Sequence, residues 1–251
     1  MPISRQQLST ALSELLQPHR YQDYCPNGLQ VEGRDSIARV VTGVTACQAL
    51  LDAAVAHNAD AVLVHHGYFW QSEPPELIGM KARRIRTLIQ ADINLYAYHL
   101  PLDSHLTLGN NAGLGRALGI TEFHPVEPDN PSLPLFVGSL PAGQNQSEVA
   151  QQLEHILNRA VLSEGERFVR KVAWCTGGGQ GYIDRAADWG ADLFVTGEVS
   201  EQTIHSARER GIGFIAAGHH ATERFGVQSV GRWLAETLGL EHEFIDIDNP
   251  A

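Results

Sequence analysis

The sequence is short of cysteine, short of basic residues and free of long apolar runs. Its three cysteines, Cys25, Cys47 and Cys175, are scattered without CxxC spacing, which excludes a thiolate zinc site or a disulfide framework. They predict free thiols in a reducing cytosol. Eighteen Lys and Arg against 29 Asp and Glu leave a net charge of -11, which argues against general binding to a nucleic acid backbone.

Hydrophobic patterning narrows the class of protein further. No apolar stretch approaches the roughly 18 residues that a transmembrane helix needs, and the first residues lack the apolar core of a signal peptide. We therefore expect a cytoplasmic protein without membrane contact. The chain has 251 residues and 43% hydrophobic content, enough for one large or two modest domains.

An internal duplication is suggested by residues 39–67 and 171–199. Both segments show a strand, a Gly or Thr turn, a helix, an Ala-Asp pair and a second strand, which is the pattern of a βαβ unit. Placed in register, they share Val40/Val172, Gln48/Gln180, Asp52/Asp184, Ala54/Ala186, Ala59/Ala191 and Asp60/Asp192. Each copy continues into a further helix (79–91 and 200–210) and a further strand (93–98 and 213–217).

These patterns predict an α/β protein built from two similar α/β domains with largely parallel sheets. We expect the first domain over residues 1–124 and the second, with its linker, over 125–251. The Pro- and Gly-rich stretch 124–147 is predicted to be a connection with one strand at 135–140, followed by a helix over 147–158 that Ser147 caps. An amphipathic helix is predicted over 1–16, with Ser4 as a possible cap.

The basic run 81–86 falls on the predicted helix 79–91. It surrounds an apolar stripe of Met80, Ile85, Leu88 and Ile89. A solvated helix face is the simpler interpretation, and an anion or subunit contact is the alternative.

Polar residues collect just after the predicted strands, where open α/β sheets bind their ligands. The strand ending at Val64 is followed by His65 and His66, and other strands lead to His99, Asp103, Glu198, His219, His220 and Glu223. Histidine nitrogen and carboxylate oxygen suit divalent metals such as zinc, iron, manganese or nickel. We predict a metal site on His65, His66, Asp103, His219 and Glu223. Five ligands exceed one tetrahedral zinc and indicate two ions.

Other interpretations apply to single residues of this set. His99 or His205 alone is more often a hydrogen-bonded structural histidine, and Asp103 alone is often a cap. The Gly-rich turn 176–181 is either a tight turn or an anion cradle made of backbone amides.

Seven segments together resemble one known family. They cover residues 24–33, 41–45, 64–70, 98–111, 173–180, 195–205 and 217–224, among them VHHGYFW, YHLPLDSHLTLGNN and AGHHATER. The chain closely resembles the YbgI-type dinuclear metal-centre proteins, also called GTP cyclohydrolase 1 type 2 homologues or the Nif-three-like family. The resemblance spans nearly the whole chain and is weakest at about 125–166.

The resemblance implies a dinuclear site in the cleft between two related domains, and a toroidal homohexamer. The family's ligands fall on His65, His66, Asp103, His219 and Glu223. We predict a metal-dependent hydrolase acting on a nucleotide-derived or heterocyclic small molecule, with Glu198 and His99 as catalytic proton-transfer groups. The alternatives are a non-catalytic metal-binding scaffold, trafficking or regulatory protein and, against the charge, a nucleic acid module.

Overall fold

Strands and helices alternate along the computed structural model, which describes residues 1–251. The strands are β1 (Ile3–Ser4), β2 (Gly28–Val31), β3 (Ser36–Ile37), β4 (Arg39–Thr45), β5 (Ala61–His66), β6 (Asn94–Ala97), β7 (Phe123–Pro125), β8 (Phe136–Asn145), β9 (Leu162–Glu164), β10 (Phe168–Cys175), β11 (Leu193–Thr196), β12 (Gly213–Ala216) and β13 (Glu241–Phe244). The helices are α1 (Arg5–Leu16), α2 (Gln48–Ala56), α3 (Gly79–Ala91), α4 (Leu100–Ser104), α5 (Asn110–Ala117), α6 (Gln146–Leu157), α7 (Ile183–Trp189), α8 (Glu201–Arg210), α9 (His219–Thr222) and α10 (Arg224–Leu238). Short 3-10 turns lie at Pro18–Arg20 and Gln180–Tyr182. The predicted mixed α/β class is thus confirmed.

The chain divides into two units. The first unit comprises residues 1–102 and 226–248, and the second comprises 103–225 and 249–251. This division differs from the predicted boundary at 124/125 in two respects. Asp103 and α5 belong to the second unit, and most of α10 with β13 returns to the first, where β13 pairs with β4.

The first unit is built on a five-stranded sheet in the order β13-β4-β5-β6-β2, in which only β2 is antiparallel to its neighbour. Its central strands are apolar on both faces because helices cover a parallel sheet on both sides. Val41, Val62, Leu95 and Leu50 are fully buried in its core. Strand β1 pairs with β3 in a separate two-stranded sheet.

The second unit contains a six-stranded sheet in the order β7-β8-β10-β11-β12-β9. Strands β10, β11 and β12 are parallel, and the strands on either side of them are antiparallel. Trp174 is fully buried in this core, and its indole nitrogen donates to the Asn111 carbonyl at 2.9 Å.

The two segments predicted to be copies have the same order of elements, β4-α2-β5-α3-β6 and β10-α7-β11-α8-β12. The paired aspartates also make the same contacts. Asp60 accepts hydrogen bonds from the backbone N–H groups of Ala38 and Arg39, both at 2.9 Å. Asp192 accepts from those of Arg170 and Lys171 at 2.9 and 2.8 Å. The contacts agree with a duplication, which itself stays a prediction.

Residues 124–147 contain more regular structure than the predicted connection with one strand at 135–140. Strand β8 matches that strand but continues to Asn145, and β7 lies beside it in the sheet of the second unit. Phe136 and Val137 are fully buried there. Pro141 falls within the stretch of β8 between Ser139 and Gln144, where the pairing with β10 shifts register. Proline is tolerated at such irregular positions, since no ladder hydrogen bond is lost.

Helix boundaries agree with the predictions in most places. Helix α3 spans the predicted residues 79–91, with Ile85 and Leu88 buried but Met80 and Ile89 exposed. Ser4 caps α1, which buries Leu8, Leu12 and Leu16. Helix α6 is capped by Asn145 and not by Ser147, because the Asn145 and Glu148 side chains form a reciprocal capping box.

No helix of the structure combines the length and the apolar character that a membrane crossing demands.

Candidate metal centre

Three histidines meet at the carboxyl ends of neighbouring strands in the first unit. His65 and His66 are the last residues of β5, and His99 follows β6, the parallel neighbour of β5. The ring centroid of His65 lies 4.5 Å from that of His66 and 5.0 Å from that of His99. These three side chains offer possible ligand atoms within 4.8 Å of one another.

Each of these rings is oriented through its Nδ1 atom. The Nδ1 of His65 lies 3.0 Å from the Tyr98 carbonyl oxygen, and that of His66 lies 3.2 Å from the Thr45 hydroxyl. The Nδ1 of His99 lies 2.8 Å from Asp23 Oδ1. A carbonyl or an ionised carboxylate only accepts, so Nδ1 carries the proton in His65 and His99. Nε2 is then the nitrogen with metal-binding character.

Asp23 is the partner that sequence reasoning missed, since it lies 76 residues before His99. Its side chain is 3% exposed. Besides His99, it accepts from the backbone N–H of Tyr24 and of Leu100 and from the Asn27 amide, at 2.8–2.9 Å. Burial raises the pKa of Asp23, but these hydrogen bonds and the His99 charge outweigh burial, so the pKa is lowered. Asp23 is therefore a rigid, ionised support for His99.

A chain of carboxylates and imidazole lies in the second unit. Glu198 Oε1 is 2.7 Å from His219 Nδ1, and His219 Nε2 is 3.2 Å from Glu223 Oε1. Gln180 donates to the other oxygen of Glu198 at 3.0 Å. Burial lowers the pKa of His219, but hydrogen bonds and charge from Glu223 and Glu198 outweigh it and raise the pKa to about 9.

The Gly-rich turn makes room for the Glu223 carboxylate. Gly177 has φ +66°, and a Cβ built there would meet Glu223 Oε1 and come within 3.1 Å of His219 Nε2. The Gly177 and Gly179 N–H groups donate at 3.0 Å to the Thr222 and Thr196 hydroxyls. Because these amides are used internally, the tight-turn interpretation is favoured over the anion cradle.

Asp103 is buried in the second unit, and its carboxylate takes part in a hydrogen-bond network. Its Oδ1 accepts from the Asn110 amide at 2.9 Å and from the Thr176 hydroxyl at 3.3 Å. Asn111 donates to the Asp103 carbonyl and accepts from the Thr176 N–H, so the turn and the aspartate are linked. The Asn-Asn pair at the end of the family segment 98–111 is a sequence feature that could have indicated this support.

The remaining histidines have other surroundings. His105 lies on the loop after Asp103, and its Nδ1 accepts from the backbone of Thr107 and Leu108. His205 is exposed on α8. His220 is 9% exposed, and its backbone N–H donates to the Ala251 carbonyl at 3.3 Å.

The donor sets fit a divalent metal ion. The first unit contributes imidazoles and the second contributes carboxylates with one imidazole, a mixture that suits zinc, iron, manganese or nickel. The buried thiol of Cys175 is no competitor as a ligand. Burial and the charges of Asp103 and Glu223 hold its pKa well above the ordinary value, so it stays protonated.

Two mixed α/β units with such donor groups define a candidate metal-binding protein. A family model described as Duf34/NIF3 (NGG1p interacting factor 3) matches residues 3–250, and the chain belongs to that family. The resemblance found in the sequence is thus confirmed.

Named relatives and solved structures agree with this membership. A "GTP cyclohydrolase 1 type 2 homolog" of Yersinia pestis is 58% identical over 248 residues, 98% of each chain. The protein of that name from Escherichia coli is 53% identical over the same share. A structure titled protein ybgI, unknown function, has 52% identity and a TM-score of 0.95, covering 99% of this chain and 100% of its own. A structure of TTHA1606 from Thermus thermophilus has 35% identity and a TM-score of 0.92 with the same coverage.

Proposed function

We propose that this protein binds two divalent metal ions and is a metal-dependent hydrolase. The proposed ligands are His65 and His66 from the first unit with Asp103, His219 and Glu223 from the second. Zinc, iron, manganese or nickel would suit them. A nucleotide-derived or heterocyclic substrate is suggested only by the relatives' name, "GTP cyclohydrolase 1 type 2 homolog".

One observation carries the metal proposal. All three proposed histidine ligands have Nδ1 within hydrogen-bond distance of a chain partner: the Tyr98 carbonyl, the Thr45 hydroxyl and the Glu198 carboxylate. Histidines that bind metals almost always place the second ring nitrogen in this way, which sets the tautomer and the ring orientation. Glu223 adds two carboxylate oxygens and is our candidate for a bridge between the ions.

Bound divalent cations would supply Lewis-acid chemistry, polarising a carbonyl or phosphoryl group and activating water. The histidine ligands would hold the ions in position, and the carboxylates would offset part of their positive charge. The proton-transfer roles predicted for Glu198 and His99 stay predictions. The contact of Glu198 with His219 Nδ1 favours a positioning role for that carboxylate.

A non-catalytic metal-binding scaffold is the second candidate. It is favoured by burial, because His65 is 0%, Asp103 4% and Glu223 3% exposed. A storage site can be closed, whereas a catalytic metal keeps one position open to substrate.

Metal content tests the first half of the proposal. Protein purified without chelators and reloaded with zinc or manganese should hold about two ions per chain, measured by elemental analysis after gel filtration. One ion or none after reloading would contradict a dinuclear site. His105→Ala is the matched control, since His105 is a half-buried histidine whose Nδ1 accepts from its own loop.

A substrate screen tests the second half. The loaded protein should hydrolyse at least one member of a panel of nucleotides, pterins and other heterocycles, and His65→Ala should abolish that turnover. Activity that survives complete chelation would refute the hydrolase. Two firmly bound ions without any turnover would favour the scaffold.

We also propose a homo-oligomer, with the hexamer number taken from the family resemblance, and a cytosolic location consistent with three free cysteines. Ile78, Met80 and Ile89 are 72%, 56% and 61% exposed around α3 and would suit a subunit contact. Light scattering at micromolar concentration should exceed the 27.4 kDa of one chain. A stable monomer would refute the oligomer.

A further inference from the structure

We propose that the Arg159 guanidinium forms an oxyanion-binding subsite for the carboxylate or phosphate group of a ligand, and that residues 249–251 fill this subsite until such a ligand displaces them. The inference goes beyond the proposed function, because it requires neither a metal ion nor turnover. All of the residues that form the subsite and fill it belong to the second unit.

The first argument is the set of hydrogen bonds that the 249–251 segment accepts. Arg159 Nη1 donates to the Ala251 main-chain oxygen at 3.0 Å, and Arg159 Nη2 donates to the Pro250 oxygen at 3.1 Å. The His220 backbone N–H is a weaker third donor, 3.3 Å from the Ala251 oxygen. Two donors from one guanidinium are the arrangement with which arginine binds carboxylate and phosphate groups. The two main-chain oxygens therefore stand in for the oxygens of such a group.

The second argument is the close approach of the guanidinium to Gly218, just past the carboxyl end of β12. Gly218 has φ +98°, and a Cβ built there would meet Arg159 Nη1. The Gly218 N–H donates to the Gly197 oxygen at 2.9 Å, and the Gly218 oxygen accepts from the Thr222 hydroxyl at 2.9 Å. Glycine is thus required at this position, and a fixed peptide lies against the guanidinium. Open α/β sheets bind their ligands at this end of the strands.

A structural role for Arg159 at the end of α6 is the competing interpretation. Cationic side chains stabilise helix C-termini by binding the last carbonyl groups. In α6 the Leu157 oxygen accepts from Arg224 Nη2 at 2.7 Å, so Arg224 has this role. The other acceptor of Arg159 is the oxygen of its neighbour Ala160, 3.4 Å from Nε. The Arg159 charge is therefore directed to the main-chain oxygens of the 249–251 segment, and no side-chain carboxylate is among its acceptors.

The third argument is that the 249–251 segment is suited to displacement. All three of its residues are exposed. The Ala251 N–H donates to Asn249 Oδ1 at 3.0 Å, which is a bond within the segment itself. The bonds that hold the segment to the rest of the unit are those from Arg159 and His220. A small oxyanion accepts from the same donors without the entropic cost of ordering a chain segment, so it competes effectively.

Binding of inorganic phosphate tests the inference. The full chain and a form truncated after Asp248 are freed of metal with a chelator, passed through gel filtration to remove the chelator, and dialysed against phosphate at constant pH and ionic strength. Truncation should tighten phosphate binding by about 10-fold, because the subsite is then open in every molecule. Arg159→Gln in the truncated form should abolish this gain. Arg159→Lys should retain only part of it, since lysine keeps the charge and loses the fork of donors.

A second measurement follows the segment in the full chain, both metal-free and loaded with zinc. The amide signal of Ala251 in protein labelled with 15N-alanine should shift when phosphate is added, towards its position in Arg159→Gln, where the segment is already released. Malonate provides the same test for a carboxylate, and the tighter of the two anions identifies the group that the subsite prefers. Sodium chloride at equal ionic strength separates binding from charge screening, which affects all salts alike. Arg83→Gln removes an exposed arginine of α3 and is the charge-matched control.

The subsite is overturned if truncation leaves the phosphate affinity unchanged, or if Arg159→Gln binds phosphate as tightly as Arg83→Gln does in the truncated form. Release of the segment by chloride as readily as by phosphate and malonate also overturns it. A loss of thermal stability on truncation, without any gain in phosphate binding, overturns it too and assigns the segment a structural role. None of these results depends on the metal content of the wild-type protein, so the proposed function is tested separately.

Discussion

The two βαβαβ segments share a scaffold and differ in the chemistry at their strand ends. Asp60 and Asp192 make the same backbone contacts. The β5 and β6 ends carry imidazoles, whereas those of β10, β11 and β12 lead to a Gly-rich turn, Glu198 and His219. Imidazole donors are thus concentrated in the first unit and carboxylate donors in the second. The scaffold constrains the backbone at these positions and leaves the ligand type free to vary.

The largest expected effect concerns Glu223, a carboxylate of the second unit. Glu223→Ala should lower metal content well below that of wild type, because two nearby cations would lose a shared negative ligand. Glu223→Gln should have nearly the same effect, since the charge and not the shape is lost. Elemental analysis after reloading measures both. Metal content equal to that of His105→Ala would reject Glu223 as a bridge.

Glu198 should matter next, through His219. Glu198→Gln should weaken metal affinity by roughly 10–100-fold, the usual range for an outer-shell partner of a histidine ligand. Titration with a competing chelator gives the affinity. Glu201→Gln, an exposed change at the start of α8, is the control. If Glu198 is instead a proton-transfer group, turnover will fall while metal affinity stays constant.

The backbone contacts of Asp60 and Asp192 can be weakened by substitution in one unit at a time. Asp60→Asn and Asp192→Asn should each lower the free energy of unfolding by about 1–2 kcal/mol, because hydrogen bonds to a charged group are stronger than neutral ones. Native-state hydrogen exchange should show the first loss in β4 and the second in β10. Losses that appear in the opposite unit, or in neither, would contradict the equivalence of the two aspartates.

The smallest effect concerns β13, the parallel strand added beside β4. Burial lowers the pKa of His242, Arg232 lowers it further and Glu243 opposes them. The unfolded chain therefore takes up this proton first, so the stabilisation is present above about pH 6.5 and lost as pH falls through the folded pKa. The protection factors of the β4 amides, which correct for the pH dependence of intrinsic exchange, should fall modestly over that range, and His242→Gln should flatten the dependence. If the stability of His242→Gln falls with pH as much as that of wild type, His242 is not the group responsible.

Local patterns predicted much of this chain, since helix periodicity alone placed α3 and strand-end position alone selected His65 and His66. Pairings distant in sequence were not predictable in this way. Nothing near residue 241 indicates that β13 returns to β4, and nothing near residue 23 indicates a bond to His99. The prolines of 124–147 also misled, because edge strands and irregular pairing accept proline where a regular ladder would not.

The hydrogen-bond partners of the three first-unit histidines differ in whether a substitution can remove them. Thr45 and Asp23 hold His66 and His99 through side chains, so a single substitution removes either support. His65 is held by the Tyr98 main-chain carbonyl, which every amino acid at that position supplies. Substitutions can therefore change the hydrogen-bond partner of His66 or of His99 independently of each other. The partner of His65 is kept as long as the backbone at Tyr98 keeps its position.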